Sequence, residues 1–323
     1  WQYVGHENIL PININLYPFT FIPNYIDEPL VLVRKVDDSI SCLSNVCTHR
    51  ANIIVHNPSE RKNLRCLYHG RKFNLDGEFK SMPDFEEAEN FPRDCENLKS
   101  FPVSRLGPFL FTSLEPEFNI KKIFDEIANR LSFFKFEKLV ERPDLTSEHI
   151  VKANWAIYCE NYLDPFHIPF VHKELTSVLD INQYKTEIYN NYNLQIGYSK
   201  DDEDSFEIPE GKKDFGKKIS AYYYWIFPNL MLNFYPWGLS INIITPINKN
   251  RTKVSFIQFM MDESKYHIGA GGLIDKVERE DEFVVEEVSK GLESRYYSTG
   301  RFSPTKETAI HHFHSLIAKF INS

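Results

Sequence analysis

A chain of 323 residues with a formal net charge of −8 is too long for one small module and lacks the basic excess needed to grip nucleic acid. It has no apolar run of the roughly 18 residues that span a bilayer and no visible secretory signal, so a cytoplasmic setting without membrane or nucleic-acid partners is expected, with Trp1 leaving room for a segment upstream. Five cysteines, an odd and sparse number, argue against a disulfide scaffold and make spaced Cys and His candidates for metal ligands in a reducing compartment.

Residues 1–113 read as short strands punctuated by turns. A β-type run covers 29–34, a turn follows at 36–39, and the next strand starts at 40–44. Residues 74–78 form a hairpin-like turn signalled by Asp76-Gly77, and 109–113 is a closing strand. After Pro116 the texture changes. Residues 120–136 have helical spacing through Ile123, Phe124, Ile127, Leu131 and Phe134. The stretch 154–172 is mixed. The charged segment 199–217, with Pro209, Gly211 and Gly216, suggests a loop or lid. Strand patterns follow at 220–227, 230–235, 239–246 and 252–260, and helices at 277–294 and 305–321. The expectation is an α+β protein: an all-β domain over 1–113 and a second domain over 114–323 with an antiparallel sheet and helices. The 26 Phe, 17 Tyr and 4 Trp are assigned chiefly to packing.

Two constellations carry chemistry. Cys47-Thr48-His49 and Cys66-Leu67-Tyr68-His69 are separated by sixteen residues. Two thiolates and two imidazoles can hold a structural zinc or a [2Fe–2S] centre with two Cys on one iron and two His on the other. Zinc modules pair like with like along the chain. Here each short loop offers one Cys and one His, which suits the cluster better. The alternative is four unrelated residues.

The second constellation is Asp164, His167 and His172. Two His and a carboxylate on one face, with other positions open, suit an iron(II) that must bind O₂. A regular helix turns residues five apart about 140° from each other. His167 and His172 can therefore converge only where the helix breaks or widens, and Pro169 between them is a reason for it to do so. Taken alone, a histidine in such an aromatic-rich segment is more often a packed core residue.

Cys47-Thr48-His49-Arg50 and Cys66-Leu67-Tyr68-His69-Gly70, followed by Phe73-Asn74-Leu75-Asp76-Gly77, resemble the Rieske domain of ring-hydroxylating oxygenases. The departures are Leu67, where the family commonly has Pro, and Arg71, where it often has Trp; neither is a ligand position. The resemblance implies a Rieske [2Fe–2S] domain followed by a helix-grip (START-like) catalytic domain. His167 and His172 resemble that family's mononuclear Fe(II) ligands. Asp164 stands where the family bridges His69 of one subunit and His167 of the next, one helical turn before His167. The third ligand is implied by Glu280-Asp281-Glu282 and the Val-rich stretch after it, with Asp281 in the ligand place and Glu280 and Glu278 as alternatives in a crowded acidic helix.

Asn154-Trp155, Asp164 to His172-Lys173, Phe227-Pro228-Asn229-Leu230-Met231, Gly291-Leu292-Glu293-Ser294 and His311-His312-Phe313-His314 are similar to the choline monooxygenase and quaternary-amine branch. Ser289 and Val285 depart from it, and Asp164 departs from carnitine-type relatives, which carry Glu there. The resemblance implies a terminal oxygenase that uses O₂ and electrons from a separate NAD(P)H reductase or ferredoxin to hydroxylate or demethylate a small substrate, choline or betaine-like. It also implies a head-to-tail homotrimer. An aromatic acid as substrate, a non-enzymatic electron carrier and a zinc-stabilised binding protein are the alternatives. Tyr222 to Trp225, Phe227, Phe234, Tyr235 and Trp237 offer an aromatic cage for a cation, of which a strand can present about half to one face; core packing explains them equally well. His311, His312 and His314 are assigned to the final helix rather than to a metal.

Overall fold

Leu30, Val31, Leu32 and Val33 are consecutive and all buried, as a strand needs to be when both its faces are covered. Glu28–Arg34 sits in the interior of an antiparallel sheet ordered Leu16–Phe21, Glu28–Arg34, Ile40–Ser44, Ser100–Phe101. The computed structural model that shows this describes residues 1–200 and 205–322, and internal contacts divide it into Trp1–Ala128 and Asn129–Ser323.

Two smaller three-stranded sheets complete the first unit. One holds Gln2–His6, Phe109–Thr112 and Val103–Leu106; the other holds Leu64–Arg65, Lys72–Phe73 and Phe79–Ser81. The turn between the last two is built as its sequence implies. Asn74 Oδ1 accepts the N–H groups of Asp76 and Glu78, and Gly77 takes φ +85°, where a Cβ would press on Leu43 and Leu98.

The division by contacts falls later than the expected boundary near residue 114. The helix Ile120–Arg130 buries Ile120, Ile123, Phe124 and Ile127, and Phe124 packs on Phe111 at 4.6 Å between ring centroids, which ties the first turns of the helix to the strand before it. The helix also ends at Arg130 rather than 136. Leu131 and Phe134 keep the helical spacing because they are buried on a turn, closed by the Phe134 N–H on the Leu131 carbonyl at 2.8 Å. Periodicity cannot tell that turn from another turn of helix.

The second unit is an eight-stranded antiparallel sheet. Its main path runs Val140–Glu141, Arg251–Met260, Gly238–Asn248, Leu230–Tyr235, Ile219–Ile226, Tyr192–Tyr198, Lys185–Ile188, and Ser147–Val151 pairs with Arg251–Met260. The helix Ile274–Gly291 is tied to the edge strand by Glu286, which accepts the Lys152 N–H at 3.0 Å, and by Glu282 against His149 at 3.1 Å. The last helix, Thr308–Ile321, sets Phe313 against Trp225 at 5.2 Å. A long helix held by an antiparallel sheet gives the α+β, helix-grip architecture that was expected.

Within 199–217, residues 201–204 lie outside the described residues. The described part from 205 to 217 has neither helix nor strand and is the expected loop, anchored at several points. Phe206 is buried. Asp214 accepts from Arg130 Nε at 2.8 Å, Lys217 Nζ at 2.7 Å and the Tyr222 hydroxyl at 3.1 Å. Arg130 also meets Glu187 at 2.6 Å. Burial alone would raise the pKa of both carboxyls; the hydrogen bonds from Arg130 and the lysines more than reverse this, so both titrate below the usual range. Replacing Arg130 with Met leaves two buried carboxylates facing each other, and Arg130→Met is expected to cost about 3–5 kcal/mol in urea unfolding at pH 7. Because both folded-state pKa values are depressed, this contribution is complete above about pH 5 and is lost as pH falls through the folded values. Equal midpoints for variant and wild type at pH 7 would refute it.

Candidate functional site

In the first unit the two Cys–His loops share one backbone design. The Ala51 N–H reaches the Cys47 carbonyl at 3.0 Å, and the Gly70 N–H reaches the Cys66 carbonyl at 3.0 Å. Both closing residues have positive φ, 54° at Ala51 and 77° at Gly70. The first loop is pinned by buried Asn45, which accepts the Val55 N–H at 2.8 Å and donates to the Val55 carbonyl at 2.7 Å.

The consequence is two buried free thiols with both imidazoles outside them. His49 and His69 stand 4.8 Å apart between ring centroids, and His69 is exposed. Burial pushes the Cys47 thiol up, with the neighbouring Cys66 adding to it. Burial acts on Cys66 in the same sense, but the backbone N–H groups of Tyr68 and His69, with Cys47 and Asn52, carry it below the usual thiol value. N–H groups aimed at sulfur are what a thiolate needs. Burial, then His69 and the nearby arginines, lower the His49 pKa, which keeps the ring neutral and able to ligate. The four residues fit a cluster whose sulfur side is inside and whose histidine side faces outward.

Arg71 replaces the usual Trp at its position without loss of packing. It is fully buried, stands over the Phe79 ring at 4.9 Å, and is ion-paired with Glu96. The Glu96 carbonyl in turn accepts from the Thr48 hydroxyl at 2.8 Å, within the first loop.

In the second unit the helix Trp155–Tyr162 is followed by a turn, the short helix Ile168–Val171, and then Lys173–Val178. His167 immediately precedes the short helix and His172 immediately follows it. The expected break at Pro169 is not where the chain breaks. Pro169 occupies the first turn of the short helix, where no N–H is required of it. The non-helical residue is His172 itself, at φ −103° and ψ 75°. That single residue swings its ring back so that the two Nε2 atoms lie 3.0 Å apart. Asp164 lies on the turn before the short helix, not on a helix shared with His167. Its Oδ1 accepts the Phe166 N–H at 2.7 Å while Oδ2 lies 3.5 Å from His167 Nδ1, so it shapes the turn and faces the imidazole at once.

The acidic helix resolves its own ambiguity. Asp281 Oδ1 lies 3.0 Å from His172 Nε2 and 3.3 Å from His167 Nε2. Glu280 turns to the other side of the same ring, 2.7 Å from His172 Nδ1. Glu278 faces elsewhere. Three donor atoms mutually about 3 Å apart are spaced as a small cation bonded at about 2.1 Å would space them. His167, His172 and Asp281 are the one such group among the described residues. Burial opposes charge on all three, yet each stays charged more readily than usual. Asp164 and Asp281 raise His167 to about 9, Asp281 and Glu280 raise His172, and the two imidazoles lower Asp281.

The triad opens on a cavity of about 110 Å³. Of the aromatic residues expected to form a cage, Tyr223 and Tyr235 line it, and Trp237 stacks behind Tyr235 at 5.2 Å. Tyr222, Tyr224 and Phe234 serve the core on the opposite strand faces, as alternation requires, while Trp225 packs on Phe313 and Phe227 on Phe320 of the last helix. Tyr158, Tyr162, Tyr184 and Phe256 were not anticipated as lining residues, and neither was the positioning contact of Glu280. Their signal was weak because they come from three separate stretches of chain: the helix Trp155–Tyr162, the segment before Lys185–Ile188 and the strand Arg251–Met260. For Glu280 a signal existed: adjacent residues on a helix point about 100° apart, so neighbouring carboxylates can reach both nitrogens of one ring.

Residues 1–102 match the Rieske [2Fe-2S] domain family, and residues 136–323 match the ring hydroxylating alpha subunit (catalytic domain) family. The chain is 30% identical to chloroplastic choline monooxygenase of Arabidopsis thaliana, over 98% of this chain and 76% of that protein. It is also 30% identical to the carnitine monooxygenase oxygenase subunit of Escherichia coli, over 99% and 87%. Its fold is similar to that of a quaternary ammonium Rieske monooxygenase, with a TM-score of 0.75 and 20% identity over 99% of this chain and 88% of the other. It is similar too to naphthalene 1,2-dioxygenase, with a TM-score of 0.68 and 18% identity over 100% and 87%. No helix among the described residues is long and apolar enough to cross a membrane.

A cation seated on the triad must displace the proton from His167. Refilling metal-depleted protein with iron(II) at pH 7 is therefore expected to release about one proton, and affinity should rise as pH rises towards about 9. Titration calorimetry in two buffers of different ionisation enthalpy measures this. Iron uptake with no proton release would contradict it.

Proposed function

The chain belongs to the ring-hydroxylating oxygenase alpha-subunit family, whose members carry a Rieske [2Fe–2S] cluster and a mononuclear iron, and we propose that it is the terminal oxygenase for a small quaternary ammonium compound. The observation that carries this reading is the junction of the His167, His172 and Asp281 triad with a small cavity walled by tyrosines and Phe256. Ring faces attract a desolvated cation, and choline and carnitine are the substrates named for the relatives.

In this proposal Cys47, Cys66, His49 and His69 hold the cluster, and His167, His172 and Asp281 hold the iron. The iron supplies O₂ activation when bound. The remaining roles belong to side chains. Glu280 accepts from His172 Nδ1, fixing the tautomer that leaves Nε2 free to ligate. Asp164 Oδ2 faces His167 Nδ1 at 3.5 Å and is placed to do the same for His167. Its carboxylate has lone pairs to spare for an N–H of His69 in a neighbouring subunit, which makes it the bridge of a head-to-tail trimer. The buried polar groups Asn233 and Gln195 orient the wall: the Tyr162 hydroxyl donates to Asn233 Oδ1 at 2.7 Å, and Gln195 Nε2 donates to the Tyr162 carbonyl at 2.8 Å. Electrons are supplied by a separate NAD(P)H reductase or ferredoxin. The product is a hydroxylated carbon beside the nitrogen or the alcohol, which falls to a demethylated amine with formaldehyde or to an aldehyde hydrate.

NAD(P)H- and O₂-dependent turnover with a surrogate reductase, on choline, glycine betaine, carnitine and benzoate, is the direct test. Turnover of at least one quaternary amine is expected; turnover of benzoate alone would replace the substrate reading. Asp164→Asn is expected to retain both metals and lose roughly 100-fold in turnover; full activity would refute the bridge. Asp281→Asn is expected to lose the mononuclear iron while the reduced protein keeps its Rieske EPR signal. Retention of that iron would move the ligand elsewhere in the acidic helix.

A further inference from the structure

Glu278 has no part in the triad or in its support. It lies on the helix Ile274–Gly291 one turn before Asp281, on the same face, and lines the cavity. It is 8% exposed, and its Oε1 has no hydrogen-bond partner among the described residues. Among the described residues, Asp164, Asp281 and Glu278 are the carboxylates of the cavity wall, and no Lys or Arg lines it. The basic side chains beside Glu278 on the helix are directed away: Lys276 pairs with Glu174, and Arg279 is exposed. Apart from the two imidazoles of the triad, the rest of the polar wall is neutral, with tyrosine hydroxyls, Asn233, Asn242, Ser240 and Gln195.

A buried carboxyl without a partner is costly unless something occupies the space it faces. Burial and the neighbouring Asp275, Glu282 and Asp281 all favour its protonated form. A cation in the cavity supplies the opposite charge and reverses that preference. A ligand carboxylate has no such place. Beside Glu278 it would meet another carboxylate and no Lys or Arg among the described residues, whereas a hydroxyl finds several neutral partners.

We propose that Glu278 is the counter-charge for the substrate's cationic head, and that the cavity takes an amino alcohol of the choline type in preference to a zwitterionic betaine or carnitine. This rests on the quaternary ammonium reading of the same site and narrows it. Glu278 is a specificity-determining residue one helical turn from the triad, so a head held there leaves the rest of a small molecule at Asp281.

The test is equilibrium binding to the iron-loaded oxygenase, by calorimetry, of four probes: choline, its uncharged carbon isostere 3,3-dimethylbutan-1-ol, glycine betaine and L-carnitine. Wild type is expected to bind choline at least about tenfold more tightly than either zwitterion, and Glu278→Gln to weaken choline at least about tenfold while leaving the isostere within about twofold. Glu278→Asp, which keeps the charge, is expected to stay within about threefold of wild type for choline. Unchanged choline binding in Glu278→Gln overturns the proposal. So does an equal loss for choline and the isostere, which would mean packing or misfolding, and so does wild-type binding of the zwitterions as tightly as choline. If wild type binds none of the three cations, the quaternary ammonium reading itself falls and this inference with it; if it binds choline and Glu278→Gln is unaffected, that reading stands and only the role of Glu278 is lost.

Discussion

Two imidazoles five residues apart meet only where the helix that carries them stops being a helix. In this chain that place is His172, a single residue with non-helical φ and ψ between two short helices. Its ring is 1% exposed, held at one nitrogen by Glu280 and at the other by the shared oxygen of Asp281. Both carboxylates come from one helix, so the site depends on where Ile274–Gly291 is laid down, and the sheet decides that. The ties of this helix to the Ser147–Val151 strand and to the residue just after it, through Glu282 and Glu286, lie one and five residues from Asp281 on the same helix. Moving the helix by a residue would exchange Asp281 for a neighbour with a different length and direction.

The local charge balance follows from the same geometry. Glu278, Glu280, Asp281 and Glu282 crowd one stretch of helix and would repel one another on an exposed surface. Here each has a separate direction: Asp281 between the imidazoles, Glu280 behind one of them, Glu282 on His149, and Glu278 on the cavity. Asp164 and Asp281 beside His167 outweigh its burial and push its pKa up to about 9. Tyrosines dominate the wall, so the cavity combines apolar faces with neutral polar tips.

Local chemistry was readable wherever the ligand spacing was short. The two Cys–His loops need only a turn with a left-handed closing residue, and Gly70 announces one of them; Ala51 does the same work with no such signal. Strands with four buried apolar residues in succession were readable too. Errors arose where periodicity is blind to context. Leu131 and Phe134 continue a helical rhythm on a turn, and Pro169 was credited with a break that occurs three residues later, because Pro is at ease in a first turn and His172 is drawn out of the helix by its partners. The segment around Asp214 read as a loop or lid, and the loop is what the structure shows; its fastening was hidden because Arg130 lies eighty-four residues away in sequence.

The sequence by itself determined the chemistry on offer: two thiols and two imidazoles in matched short loops, two further imidazoles that demand a broken helix, and a surplus of carboxylates on one late helix. Those are statements about neighbours within a few residues, where backbone geometry leaves few choices. Tertiary structure alone decided which carboxylate meets the imidazoles, which supports them and which is left to face the cavity. It also decided which aromatic residues wall the cavity and which fill the core. Those choices turn on the position of a helix over a hundred residues from the histidines and on the faces of strands brought together by long-range pairing, and a local pattern contains no information about either.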